Sequence, residues 1–300
     1  MKGVLTLFLN LFLVSAIAQQ RPMLTQYMFN SLTVNPAYSA IGNDLNVAAI
    51  YRQQWVGFEG APNTQFLTMH SAINQSNSSL GLVVMRDHIG EVINETGAFL
   101  TFAQRMKLSE TTYLAVGVLA GTSRYAANYS QLWDQVSSSD PIFQNESIGS
   151  TNLGFGIMLF SNRFYAGLSS PFMLSLTNDP TQINHDKPHY MAQGGYLVPL
   201  GDNFMLKHNI LLKYVNGAPL EADISEGLLI HEAIWLGVAW RSFDSFDGIL
   251  QMYISRNLQV GYSYDFTTTK IGPVQKGSHE LMLRLTFPHN GSTSRRCYFF

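Results

Sequence analysis

Four ionisable residues are the first candidates for chemistry: Lys213, Glu221, Asp223 and Arg241. Lys213 ends one predicted strand, Glu221 and Asp223 open the next, and Arg241 ends the one after. With turns near 217 and 231, strand alternation puts all four at neighbouring positions on one inward face. One reading is an ion-pair network that satisfies polar groups inside a narrow barrel. The other is a contact for a ligand or peptide. Catalytic chemistry has less support. None of the eight His residues stands at i, i+4 from another within a helical pattern, and the single Cys297 excludes a thiolate cluster. No Gly-rich phosphate loop occurs. A hydrolase would need Ser, His and an orienting polar group converging at one rim. His185 and His189 stand near serines, but nothing selects them. The sequence therefore predicts no enzyme, no cofactor and no metal.

The elements that would position these residues begin with the N-terminus. Met1 and Lys2 form a short basic region, residues 4–17 are almost entirely apolar, and Ala16-Ile17-Ala18 is a small-x-small cleavage site. Residues 1–18 read as a secretory signal peptide. A single anchor helix fits less well, because the apolar run is short and ends in a cleavage pattern. No Cys follows the site that would mark a lipoprotein. Beyond it, no apolar run approaches the ~20 residues of a membrane helix. Charged residues make up 13% of the chain, about half the usual globular share, and aromatics 12%. That balance suits a broad surface facing lipid. A net charge of −2 gives no footprint for nucleic acid.

Residues 45–288 read as about fourteen strands. Segment 257–267 sets Leu258, Val260, Tyr262, Tyr264 and Phe266 against Gln259, Gly261, Ser263 and Asp265. Segment 278–288 sets His279, Leu281, Leu283, Leu285 and Phe287 against Ser278, Glu280, Met282, Arg284 and Thr286. Such alternation gives each strand one oily and one wet side. A soluble sandwich would show the same. The connections discriminate: gaps 55–63, 125–150, 171–187, 242–247 and 268–277 are long, and those between them are tight. Alternating long and short connections belong to up-and-down hairpins rather than to a Greek key. The predicted fold is an all-β, transmembrane antiparallel barrel in the outer membrane, with lipid as its surroundings.

With the N-terminus in the periplasm, the long loops face outside the cell. Residues 19–44 become a periplasmic N-terminal arm, 45–288 the barrel and 289–300 a periplasmic tail. The arm carries Met23, Leu24, Tyr27, Met28, Phe29, Leu32 and Tyr38, too much apolar surface for a solvated segment. It must be buried, either in its own barrel or against a partner. Asn35-Pro36 opens a turn that could send the chain back across the opening, which favours the barrel. Outside, Trp55 sits at the lipid boundary and Phe58 follows in a compact loop. The longest loop carries Tyr129, Trp133 and Phe143. A loop beyond ~12–15 residues is usually functional or disordered. Clustered aromatics favour a partner contact.

Two segments resemble a known family. The first is Gln26-Tyr27-Met28-Phe29-Asn30 with Asn35-Pro36-Ala37-Tyr38. The second is Tyr51-Arg52-Gln53-Gln54-Trp55-Val56-Gly57 with Gly60-Ala61-Pro62-Asn63-Thr64-Gln65. Weaker matches continue at Gly261-Tyr262-Ser263-Tyr264-Asp265, at His279-Glu280 and at the terminal aromatic after Cys297. Together they resemble the PorP/SprF family of type IX secretion-associated membrane proteins. Ser39-Ala40 departs from the Ala-Gly expected after the Tyr. The resemblance implies a fourteen-stranded outer-membrane barrel tied to secretion and surface retention of large adhesins, including gliding adhesins. It also implies partners: the adhesin's C-terminal domain outside, and a peptidoglycan-binding protein and the secretion ring in the periplasm. A diffusion porin is the other function that such a barrel could serve.

Overall fold

Period-two patterning and tight turns produce fourteen antiparallel strands. The structure, a computed structural model, describes residues 22–74, 76–129, 145–177 and 187–289. The first seven strands are β1 (Leu45–Gln53), β2 (Asn63–Ala72), β3 (Ser78–Ile89), β4 (Ile93–Lys107), β5 (Thr112–Ala127), β6 (Glu146–Ser161) and β7 (Phe164–Thr177). The rest are β8 (His189–Pro199), β9 (Phe204–Val215), β10 (Glu221–Ile230), β11 (Ile234–Arg241), β12 (Ser245–Tyr253), β13 (Leu258–Thr267) and β14 (Ser278–Phe287). Each pairs with its neighbours in sequence, and β1 pairs with β14 to close the barrel. Closure runs in register from Leu45 opposite Phe287 to Gln53 opposite His279.

The outward face is apolar. Leu100, Leu168 and Val238 are 65%, 61% and 64% exposed, values that suit lipid rather than water. Aromatics gather toward both rims of this band. Tyr190, Tyr214, Trp240, Phe246 and Phe266 lie near one end, and Tyr196, Phe204 and Phe287 near the other. The expected faces of β13 and β14 are as observed. Leu258, Val260, Tyr262, Tyr264 and Phe266 turn out, while Gln259, Ser263 and Asp265 are buried inside.

The alternation of connections needs correcting. All connections at one end are short, as expected. At the other end 54–62 and 268–277 are long, but 90–92, 216–220 and 242–244 are tight. The segment 242–247 is not a loop because β12 begins at Ser245. Ser245 and Asp247 are lumen residues, and their polarity imitates a loop. Strands β5 and β6 also run further than expected, pairing as far as Ala127 with Glu146. Their last outward residues include Thr122, Arg124, Ser147 and Thr151, all exposed and polar. This hairpin therefore stands above the lipid and carries no oily outward face to read. In β7, Pro171 falls where the β6–β7 register shifts between Leu153 and Phe155. A Pro at such a bulge costs no ladder bond, so the strand continues to Thr177. Residues 1–18 lie outside the described residues, as does the tail beyond His289.

Candidate functional site

The barrel interior is occupied by its own N-terminal arm. From Pro22 onward the arm starts at the long-loop end, passes down the lumen and turns into β1 at the short-turn end. It docks along the whole lumen rather than against a periplasmic rim. Gln26, Tyr27, Phe29, Asn35, Pro36 and Tyr38 are all buried there, so none is presented to a periplasmic partner.

The arm is irregular, built from 3-10 turns at Tyr27–Phe29, Ser31–Thr33 and Pro36–Ala40. These turns satisfy only part of its backbone, so the wall must supply partners for the rest. Lys207 Nζ donates to the Met28 carbonyl at 3.3 Å and Arg284 Nη1 to the Phe29 carbonyl at 3.3 Å. Ser169 Oγ donates to the Val34 carbonyl at 2.8 Å. Arg105 closes the bottom, donating to the Gly42 carbonyl at 3.2 Å and to Asn43 Oδ1 at 2.6 Å. Gly42, at φ +76°, then makes the turn into β1, a conformation that favours glycine.

Asn35-Pro36 does more than open a turn. The Asn35 side chain accepts from Ala37 N at 2.9 Å, and Pro36 follows in the first position, where no amide is needed. Asn35 Nδ2 also donates to the Ile157 carbonyl at 3.2 Å, hooking the turn onto β6. The wall is hollowed to receive it. A Cβ at Gly156 would lie 2.9 Å from Asn35 Cγ, and one at Gly117 would lie 2.6 Å from Ala37 Cα. Higher up, Phe29 meets Trp235 edge-on at 6.0 Å, with Lys207 Nζ 4.9 Å from the Phe29 ring centre.

An ionic cage holds the arm's first turn near the long-loop mouth. Lys213 pairs with Glu221 at 3.5 Å and Asp223 at 3.0 Å, and Arg241 Nε meets Asp223 at 3.1 Å. The four residues singled out from sequence are thus brought together. The cage extends beyond them. Arg52 reaches Asp265 at 2.7 Å and Glu280 at 3.4 Å, and Arg241 also meets Asp244 at 3.3 Å. Thr25 sits in the middle: its hydroxyl donates to Asp265 at 2.9 Å and accepts from Arg52 at 3.1 Å. The Thr25 and Gln26 amides both donate to Glu280 at 2.8 Å. Gln251 Nε2 donates to Gln26 Oε1 at 3.0 Å. Arg52, Asp265 and Glu280 escape the sequence reading because only closure of β1 on β14 sets Arg52 opposite Glu280. Their visible signals are inward parity near the same end as Arg241 and a place in the segments that carry the family resemblance.

A cavity of about 80 Å³ lies between the arm and β8–β10, lined by Met23, Leu24, Tyr27, His189, Leu211 and Lys213 among others. It has room for a few waters, not for a conduit. His189 Nδ1 lies 2.8 Å from the carbonyl of Lys187, and His185 is outside the described residues. Among the described residues no group of three or more His, Cys, Asp or Glu could hold a metal ion.

At the long-loop end the structure places Trp55, Phe58 and Tyr129; Trp133 and Phe143 lie outside the described residues. Trp55 sits at φ 47°, unusual for a residue with a Cβ, in a loop pinned across the seam. Its amide donates to Ser278 Oγ at 3.1 Å, and Val56 N donates to the Gly277 carbonyl at 2.8 Å. Phe58 is 42% exposed.

The CymD monoaromatic hydrocarbon channel matches with a TM-score of 0.50 at 12% identity, over 91% of this chain and 94% of that one. A Pseudomonas aeruginosa FadL homologue matches at TM-score 0.49 and 12% identity, over 86% and 93%. The Ralstonia pickettii toluene transporter TbuX matches at 0.49 and 8%, over 86% and 92%. At such identities the likeness concerns the fold alone. No curated protein matches in sequence. The family described as type IX secretion system membrane protein PorP/SprF matches residues 16–285. The chain, a multi-pass β-barrel of the outer membrane, therefore belongs to the PorP/SprF family of type IX secretion system membrane proteins.

Proposed function

We propose that the protein supports secretion and cell-surface anchoring of a large adhesin, whose C-terminal domain it holds at the long-loop end. The single observation behind this reading is the filled lumen. A diffusion porin needs a continuous wet path, and here residues 22–44 occupy it from end to end. A filled barrel is a rigid platform, and its useful surfaces are its two ends.

At the long-loop end, which this reading sets outside the cell, the β5–β6 hairpin rises above the lipid. Trp55, Phe58 and Tyr129 belong to the same end, and Trp133 and Phe143 fall between β5 and β6 in the sequence. Aromatics of this kind are favoured at protein contacts. The link to a periplasmic peptidoglycan-binding protein and to the secretion ring passes from the buried arm to the short turns. Three of these carry exposed apolar residues: Leu108, Leu200 and Ile254.

Deleting residues 130–144 tests the outer half of the proposal. The variant is expected to remain heat-modifiable on gels, as a folded barrel is. The adhesin should no longer co-purify with it from membranes in mild detergent, and should leave the cell surface. Normal display and normal co-purification with this loop deleted would sink the proposal.

A further inference from the structure

One ionisable pair sits well inside the lipid-facing band. His208 on β9 and Glu226 on β10 are direct cross-strand partners, and Nδ1 of the first meets Oε2 of the second. Both side chains point outward and are 43% and 45% exposed. Leu206 and Ile210 flank His208 along its strand, and Ile224 and Leu228 flank Glu226. Val238 continues the apolar surface on β11 and Tyr196 on β8. Other outward ionisable residues, such as Arg86, Arg124 and His279, lie toward the long-loop ends of their strands.

Hydrocarbon is a poor solvent for these two groups. A carboxylate offers about four acceptor positions, and one imidazole fills only one of them. Polar groups that face lipid mid-membrane are costly and usually meet another polar surface. The shape of the pair says which surface. A half-turn about an axis along the membrane normal brings His208 of one copy against Glu226 of the next, and Glu226 against His208. Two isolated pairs become one ring of four alternating groups. Isologous contacts require this kind of self-complementarity.

We propose that the β9–β10 wall is a self-association face, at which a second copy of this chain docks within the bilayer through His208 and Glu226. Lipid alone leaves the outward acceptors of Glu226 unmet. A different membrane protein would have to bring a matching pair of its own.

The test uses the full chain in native outer membranes, with Cys297→Ser and Ile210→Cys, treated with a bifunctional maleimide. A cross-linked product at twice the chain mass is expected. Adding His208→Leu and Glu226→Leu should lower its yield at least about tenfold. These changes place apolar groups in lipid, so the barrel should keep its heat-modifiability. Cysteine at Leu100, on the far wall, should give no such product. No dimer-sized product, a product with another protein instead, or an undiminished yield in the Leu variants would each overturn the proposal.

Discussion

Replacing Arg52 with Met is expected to lower barrel stability by about 3–5 kcal/mol. Arg52 is 2% exposed and lies between Asp265 and Glu280, which are 1% and 0% exposed. Removing the cation leaves two buried carboxylates partly compensated by Arg241, 3.9 Å from Asp265, and by the neutral donors of Thr25 and Gln26. That penalty, rather than the lost attraction, sets the size of the effect. It also loosens the arm, because Arg52 donates to Thr25. The exposed Lys107–Glu110 pair at 3.3 Å is the comparison. Lys107→Met should change stability by no more than about 1 kcal/mol, since water already screens that pair. Urea unfolding in detergent measures both. A similar small loss for the two variants would show that the cage does not bear on folding.

Phe29→Ala is expected to cost about 3–5 kcal/mol, as for a buried aromatic truncated in a well-packed core. The ring is 6% exposed, meets Trp235 edge-on and lies under the Lys207 ammonium. Trp235→Ala should cost a comparable amount. The double variant should lose less than the sum of the two, by about 0.5–1.5 kcal/mol for the shared ring contact. Fluorescence-monitored unfolding of the four proteins gives the cycle. A loss below about 1 kcal/mol for Phe29→Ala would mean that the arm contributes nothing to the fold, contrary to its burial.

The sequence makes some of this legible and hides the rest for physical reasons. β13 and β14 are readable because one face meets lipid and the other the lumen, so their alternation is strict. The upper β5–β6 hairpin is not, since its outward face is polar and gives no lipid-facing alternation to read. Ser245 and Asp247 look like loop residues because a barrel lumen tolerates the same side chains as a loop. Lys213, Glu221, Asp223 and Arg241 can be grouped because two successive hairpins fix their register. Arg52, Asp265, Glu280 and Thr25 join them only through long-range closure and the path of the arm. The arm's need for burial is plain from Tyr27, Phe29 and Leu32. Its route is not, because it depends on Gly117, Gly156 and Gly167 standing together on three strands.

The arm runs through the lumen from one end to the other, and the proposed role rests on the barrel's surfaces rather than on a pore. Conductance of the purified protein in a planar bilayer tests this most directly. The full chain is expected to be silent, and a variant lacking residues 22–41 to open channels in the same membrane. Large, steady channels from the full chain would contradict a lumen closed by the arm.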